Sequence, residues 1–232
     1  MDFCPFIGHP VYQMSDASQK AYADLLQRIQ RGDLPAGAFV VESEVAEQLG
    51  ISRTPVREAI RRLAAEGLVR SGDRRRAVVR EFDEAQVDEL YELRSRLESY
   101  AAERAATRID AAGLAELEAL ARDMEACARR GDATAVARFA ELNDAFHQRI
   151  LSAAAAPHLE AALRPMLQIQ LVMLQRYRPR ISEHLERSCW HHRELIRAFT
   201  LHDALLASEQ MRLHMLAARA SSSTSAAGSN RA

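Results

Sequence analysis

The distribution of glycine and proline divides this chain into two parts that must fold differently. Between residues 32 and 72, Gly32, Pro35, Gly37, Gly50, Pro55, Gly67 and Gly72 interrupt the sequence every few positions. Such punctuation forces short elements joined by turns. Beyond Gly72, glycine recurs only at 113, 131 and 228, and no proline falls between Pro55 and Pro157. Alanine is abundant there and β-branched residues are sparse, which is the composition of long helices. With 232 residues and about 100–200 per domain, two modest domains account for the length. The expected organisation is an irregular lead over 1–16, a small domain over 17–80, an all-helical domain over 83–218 and a disordered, serine-rich tail over 219–232.

The formal charge of −1 hides an asymmetry. From Ile51 to Arg80 nine arginines face Glu58, Glu66 and Asp73, a balance of +6, whereas Glu81 onward carries 19 basic and 22 acidic residues. A basic segment on a mildly acidic body suits a polyanion-binding module; a solvated charged face is the plainer alternative. No apolar run is long enough to cross a bilayer. The first ten residues lack the basic start and apolar core of a signal peptide. Cys4, Cys127 and Cys189 are odd in number and far apart, against a disulfide framework, zinc ribbon or CxxC pair. A cytoplasmic protein is expected.

In the small domain, Leu25, Leu26 and Ile29 mark a helix over 17–31. Ser43 can cap a short helix that holds Val45, Ala46 and Leu49 and stops at Gly50. Thr54 followed by Pro55 has the form of an N-cap and first helical residue, opening a helix that runs to about Glu66. Leu68-Val69 and Ala77-Val78-Val79 flank Ser-Gly-Asp-Arg-Arg-Arg as a small hairpin with a basic tip. Three helices and a hairpin in this order make a winged helix-turn-helix. Arg53, Arg57 and Arg61 recur at spacing four, beside the apolar face of Val56, Ile60 and Leu63. A recognition helix needs this arrangement, one side packed and the other presenting guanidinium forks that bond guanine O6 and N7. Thr54 and the amides at the helix start suit a phosphate. Arg74, Arg75 and Arg76 are expected to reach the adjacent minor groove.

Six helices are expected in the larger domain, over 83–108, 111–130, 132–154, 157–178, 182–200 and 202–218, packed as an antiparallel bundle. Three imidazoles and an amide fall on inward stripes. Asn143 and His147 lie with Val136, Phe139, Phe146 and Ile150; His192 with Leu185, Cys189, Ile196 and Phe199; His214 with Ala207, Met211 and Ala218. His191 points about 120° from the His192 stripe, at 100° per residue. Imidazoles from facing helices are how bundles build metal sites, and hydrogen-bonded core histidines are the alternative. His202-Asp203 invites comparison with phosphohydrolases that use an HD pair. Those need a later Asp, Asp203 is the last, and no carboxylate lies on the inferred stripes to serve as a base. An enzyme is not expected.

The run Gly50-Ile-Ser-Arg-Thr-Pro-Val-Arg-Glu-Ala-Ile-Arg-Arg-Leu63, with Glu66-Gly67-Leu68-Val69 and the earlier Gly32-Asp-Leu-Pro-Ala-Gly37, resembles the core signature of GntR-family regulators. The usual Arg-Gly of that family's wing is replaced here by Arg74-Arg75-Arg76-Ala77. Tyr91-Glu92-Leu93-Arg94 through Glu98, Asn143 to His147, His192-Arg193 and Asp203 to His214 resemble the FCD effector domain of the FadR-like branch. The resemblance implies a dimeric regulator that reads a palindromic operator in double-stranded DNA, with Ser43, Arg53, Thr54, Arg57, Arg61 and Arg74–Arg76 at that interface. It further implies a divalent metal (zinc, nickel or manganese) on Asn143, His147, His192 and His214, and a small carboxylic acid at or near it. Asn143 stands where many members have Asp, removing a negative ligand. Arg94 is the expected partner of the effector carboxylate, or else pairs with Glu98. A bundle that serves only for dimerisation is the competing expectation.

Overall fold

The computed structural model describes residues 14–71, 76–174 and 181–226. The chain divides at residues 81 and 82 into two compact units.

The N-terminal unit opens with α1 (Asp16–Arg31), capped by the Ser15 hydroxyl on the amide of Ser18 and ended by Gly32 at φ 84°. β1 (Phe39–Val40), α2 (Glu42–Leu49), α3 (Arg53–Ala65), β2 (Val69–Ser71) and β3 (Ala77–Val79) follow. Gly50, at φ 66°, makes the turn from α2 to α3; a left-handed residue there is nearly free for glycine and strained for others. Ala21, Leu25 and Ile29 of α1 and Val56, Ala59 and Leu63 of α3 are buried, and the two helices pack together. Inside that pairing the Ser18 hydroxyl donates to Glu58.

Three details differ from the sequence expectation. The hairpin is part of a three-stranded antiparallel sheet ordered β1-β3-β2, with Phe39 opposite Val78 and Val69 opposite Val79. β1 is two residues long, too short to declare itself before β3 pairs with it. Ser43 lies inside α2, whose N-cap is Val41 in extended backbone with no side-chain cap bond, so its expected capping role is not realised. α3 begins one residue before Thr54, with Ser52 at the N-cap and no side-chain cap bond. Thr54 is therefore helical, and Pro55 falls within the first turn, where the missing N–H costs nothing.

The C-terminal unit contains, among the described residues, α4 (Glu84–Ala106), α5 (Ala111–Arg130), α6 (Ala133–Ala153), α7 (Pro157–Leu174), α8 (Ile181–Thr200) and α9 (Ala204–Ala226). Asp83 and Gln86 form a capping box on α4. Asp110 caps α5 through the Gly113 amide at 2.8 Å, and Asp132 caps α6 through Ala135 at 2.9 Å. The interior is built from Leu117, Met124, Phe139, Phe146, Leu195, Phe199 and Met211. α4 lies along α9, α5 packs on α6 and α8, and α8 packs on α9. His202 adopts φ 52° in the turn before α9, with its Nδ1 2.8 Å from the Ala106 carbonyl oxygen, and Asp203 caps α9 through Leu206. The HD pair thus shapes a turn. α9 runs on to Ala226, beyond the expected end at 218 and into the segment expected to be disordered. Among the described residues no helix is long and apolar enough to cross a membrane.

Candidate functional site

In the N-terminal unit, α3 turns Val56, Ala59 and Leu63 inward and leaves Arg53, Thr54, Arg57 and Arg61 exposed. The three arginines occupy successive turns of one face. Among the described residues Arg53 and Arg61 have no hydrogen-bonding or ion-pair partner, whereas Arg57 is held by Glu42 of α2. Arg76 is exposed at the base of the wing, its guanidinium carbon 5.7 Å from the centroid of the Phe39 ring. Arg74 and Arg75 lie outside the described residues.

In the C-terminal unit, α6, α8 and α9 bring His147, His192 and His214 together, each buried, with ligand atoms within 4.8 Å of one another. The Nε2 atoms of His147 and His214 are 3.1 Å apart. The His192 ring centroid is 4.7 Å from that of His214 and 4.5 Å from that of Phe146, which walls the site. Burial, reinforced by the neighbouring imidazoles, pushes the pKa values of His192 and His214 well below the usual histidine range, so both rings are neutral. Neutral imidazole is the metal-binding form.

These donors fit a divalent ion. Nitrogens at 2.0–2.1 Å from a common ion lie about 3 Å apart when adjacent, the spacing of the two Nε2 atoms. Neither nitrogen of His192 has a protein partner, nor has Nδ1 of His214. Buried polar atoms are otherwise almost always satisfied. Asn143 lies one turn before His147 on α6 and is partly buried, and its side chain makes no hydrogen bond to another described residue. Asp144 beside it is also partly buried, and burial raises its carboxyl pKa against the pull of His147 and Arg94.

Sequence reasoning missed the role of Glu98. It lies on α4, off the histidine stripes, and its carboxylate meets Nδ1 of His147. Its other partner is Arg94, one turn earlier, whose Nε donates to Oε1 at 2.7 Å and whose Nη2 forms an ion pair with the same oxygen at 2.6 Å. Burial opposes the Glu98 charge, but Arg94 and His147 outweigh it and hold the carboxyl down to about 2. A carboxylate on Nδ1 directs the Nε2 lone pair of His147 toward the other two rings, the arrangement that orients a metal-bound histidine. Of the two alternatives for Arg94, the structure forms the Glu98 pair. Arg94 is 1% exposed, and its Nη1 remains without a partner. A cavity opens beside Glu98 and His147, walled by Ala101, Ile150, Leu163 and Met211.

His191 is buried as well, its ring centroid 5.8 Å from that of His214. The single-face reading of α8 had turned it away from the core. α8 packs against both α5 and α9, so more than one of its faces is covered.

A winged helix-turn-helix whose exposed helix face is lined with arginines, joined in one chain to a helical domain with a buried polar site, defines the class of a DNA-binding protein. Residues 17–79 match the family described as "Bacterial regulatory proteins, gntR family", and residues 89–217 match the FCD domain. The chain therefore belongs to the gntR family of bacterial regulatory proteins and is a DNA-binding transcriptional regulator that carries an FCD domain. It is 37% identical over 58% of its length, and 79% of the relative's, to an uncharacterized HTH-type transcriptional regulator from the TAR-I ttuE-ttuC' intergenic region of Agrobacterium vitis. It is 29% identical to the gluconate operon transcriptional repressor of Bacillus subtilis, over 73% of this chain and 70% of that one. Two other relatives are spanned over only 62% and 56% of their own length. Among solved structures, E. coli McbR/YncC superposes with a TM-score of 0.78 at 24% identity, covering 91% of this chain and 99% of that one. That likeness establishes the fold.

Proposed function

We propose that this regulator is a cytoplasmic homodimer whose affinity for a palindromic operator is set by a small carboxylic acid, bound at or near a divalent metal in the FCD domain. The carrying observation is the set of buried imidazole nitrogens without protein partners at His192 and His214, beside the Nε2 of His147. A core that served packing alone would have to leave these groups desolvated at about 1–3 kcal/mol each. His147, His192 and His214 would hold the ion, with Asn143 completing the set and Glu98 orienting His147. When bound, zinc, nickel or manganese would supply a positive charge that neutral ligands leave uncompensated, which suits an anionic effector. The free Nη1 of Arg94 supports a role on the effector carboxylate. In the N-terminal unit, Arg53, Arg57 and Arg61 would read base edges, Ser43 and Thr54 would face the backbone, and Arg74–Arg76 would contact the minor groove. Two-fold symmetry of protein and operator follows because each half-site needs its own recognition helix.

The competing reading, a metal-free dimerisation bundle, draws support from His147, whose two nitrogens already have Glu98 and His214 as partners. Metal content by mass spectrometry on untagged protein separates the two. About one ion per chain in the wild type, lost in His192→Ala, is the expected result, after which carboxylic acids are screened for release of DNA. Wild type that stays metal-free after incubation with zinc, nickel and manganese would refute the metal site.

A further inference from the structure

Two of the three arginines on the exposed face of α3 lack partners among the described residues, and the middle one does not. Glu42, the first residue of α2, accepts from Arg57 Nε at 3.1 and 3.2 Å and from Nη2 at 2.9 Å. The contact is side-on. A guanidinium carries five N–H donors in a fixed planar fork; Glu42 engages Nε–H and one hydrogen of Nη2. Both hydrogens of Nη1 and the second of Nη2 are left, and these form the end of the fork that spans O6 and N7 of guanine. The Arg57 side chain remains 53% exposed while so held. Glu42 is suited to the task, because a carboxylate at a helix N-terminus is favoured by the helix dipole, and the Arg57 hydrogen bond lowers its pKa so that it stays ionised at neutral pH.

We propose that Glu42 is a positioning residue for operator recognition: it locks the Arg57 guanidinium end-on toward the groove and withholds it from indiscriminate phosphate contact. Two physical effects combine. A side chain fixed before binding loses less conformational freedom on docking. A fixed anion beside the recognition helix is repelled by a phosphate backbone that approaches out of register, which penalises wrong sequences more than the right one. Arg53 and Arg61, with no such holder, remain free to follow the backbone or the groove.

This inference rests on the reading of α3 as the recognition helix, and the test separates the two. The wild-type protein is used to select a duplex from a randomised DNA pool. Affinities of wild type, Glu42→Gln, Arg57→Ala and the double variant are then measured for that duplex and for a scrambled duplex of equal length. Glu42→Gln removes the charge and the side-on carboxylate from a partly exposed position, and circular dichroism checks that each variant is folded. The expected result is a fall of about 5- to 20-fold in the ratio of selected to scrambled affinity. Affinity for the scrambled duplex stays level or rises. In the Arg57→Ala background Glu42→Gln should change the ratio less than about two-fold, because the effect runs through Arg57. If Glu42→Gln strengthens both duplexes equally, or its effect persists without Arg57, the residue is only a screening charge and the proposal is overturned. If Arg57→Ala itself leaves the ratio intact, the assignment of α3 falls, and this inference with it.

Discussion

Replacing Glu98 by Gln should destabilise the FCD domain in a manner that depends on pH. Gln is nearly isosteric, so the change removes charge and hydrogen-bond capacity while leaving the packing volume. The Glu98 carboxyl is held at about 2 against an ordinary 4.5, and at 1.36 kcal/mol per pKa unit this corresponds to about 3 kcal/mol of stability. Breaking a buried ion pair on one side costs about 3–5 kcal/mol by general experience, because Arg94, 1% exposed, would keep its charge with no counterion. A carboxyl whose pKa is lower in the folded state than in the unfolded one stabilises above the unfolded value and loses that contribution as pH falls toward the folded value. The stability gap between wild type and Glu98→Gln should therefore be full at pH 7 and narrow by about 1 kcal/mol or more at pH 3.5. Urea denaturation of chelator-treated protein, followed by circular dichroism at both pH values, measures the gap directly. A gap under 1 kcal/mol at pH 7, or one that stays constant down to pH 3.5, would refute the account of Glu98 as the charged partner of Arg94 and His147.

Arg53→Ala should weaken binding to the selected duplex by about 1–3 kcal/mol and relax preference at one base position, with little effect on scrambled DNA; equal loss on both duplexes would reassign Arg53 to the phosphate backbone. Phe146→Ala removes a fully buried ring that packs on His192 and should cost about 3–5 kcal/mol in denaturant unfolding. Asp132→Ala deletes the cap on α6 and should cost about 1 kcal/mol, without altering metal content.

The readings that agree with the structure are those that a single element can encode. Arg53, Arg57 and Arg61 share an exposed face because a helix repeats every 3.6 residues, and no neighbour is needed to put them there. The apolar stripes on α6, α8 and α9 placed His147, His192 and His214 inward for the same reason. Gly50 and Gly67 marked helix ends because left-handed backbone selects glycine wherever it occurs. What lay beyond the sequence required a second element. Glu98 and His147 are separated by 49 positions, and nothing in the periodicity of α4 distinguishes that glutamate from a solvated one. The approach of α4 to α6 gives it a second partner beside Arg94 and takes the pair out of water. His191 looked outward on a helix considered alone and is buried because α8 is covered on two sides. β1 exists because β3 lies beside it. Glu42 meets Arg57 only because the turn at Gly50 brings α3 back to the start of α2. The sequence by itself thus determined which side chains share a face, since that follows from local backbone geometry. The tertiary structure decided which faces meet, and with them the pairing of charges and the loss of solvent on which the chemistry of both sites depends.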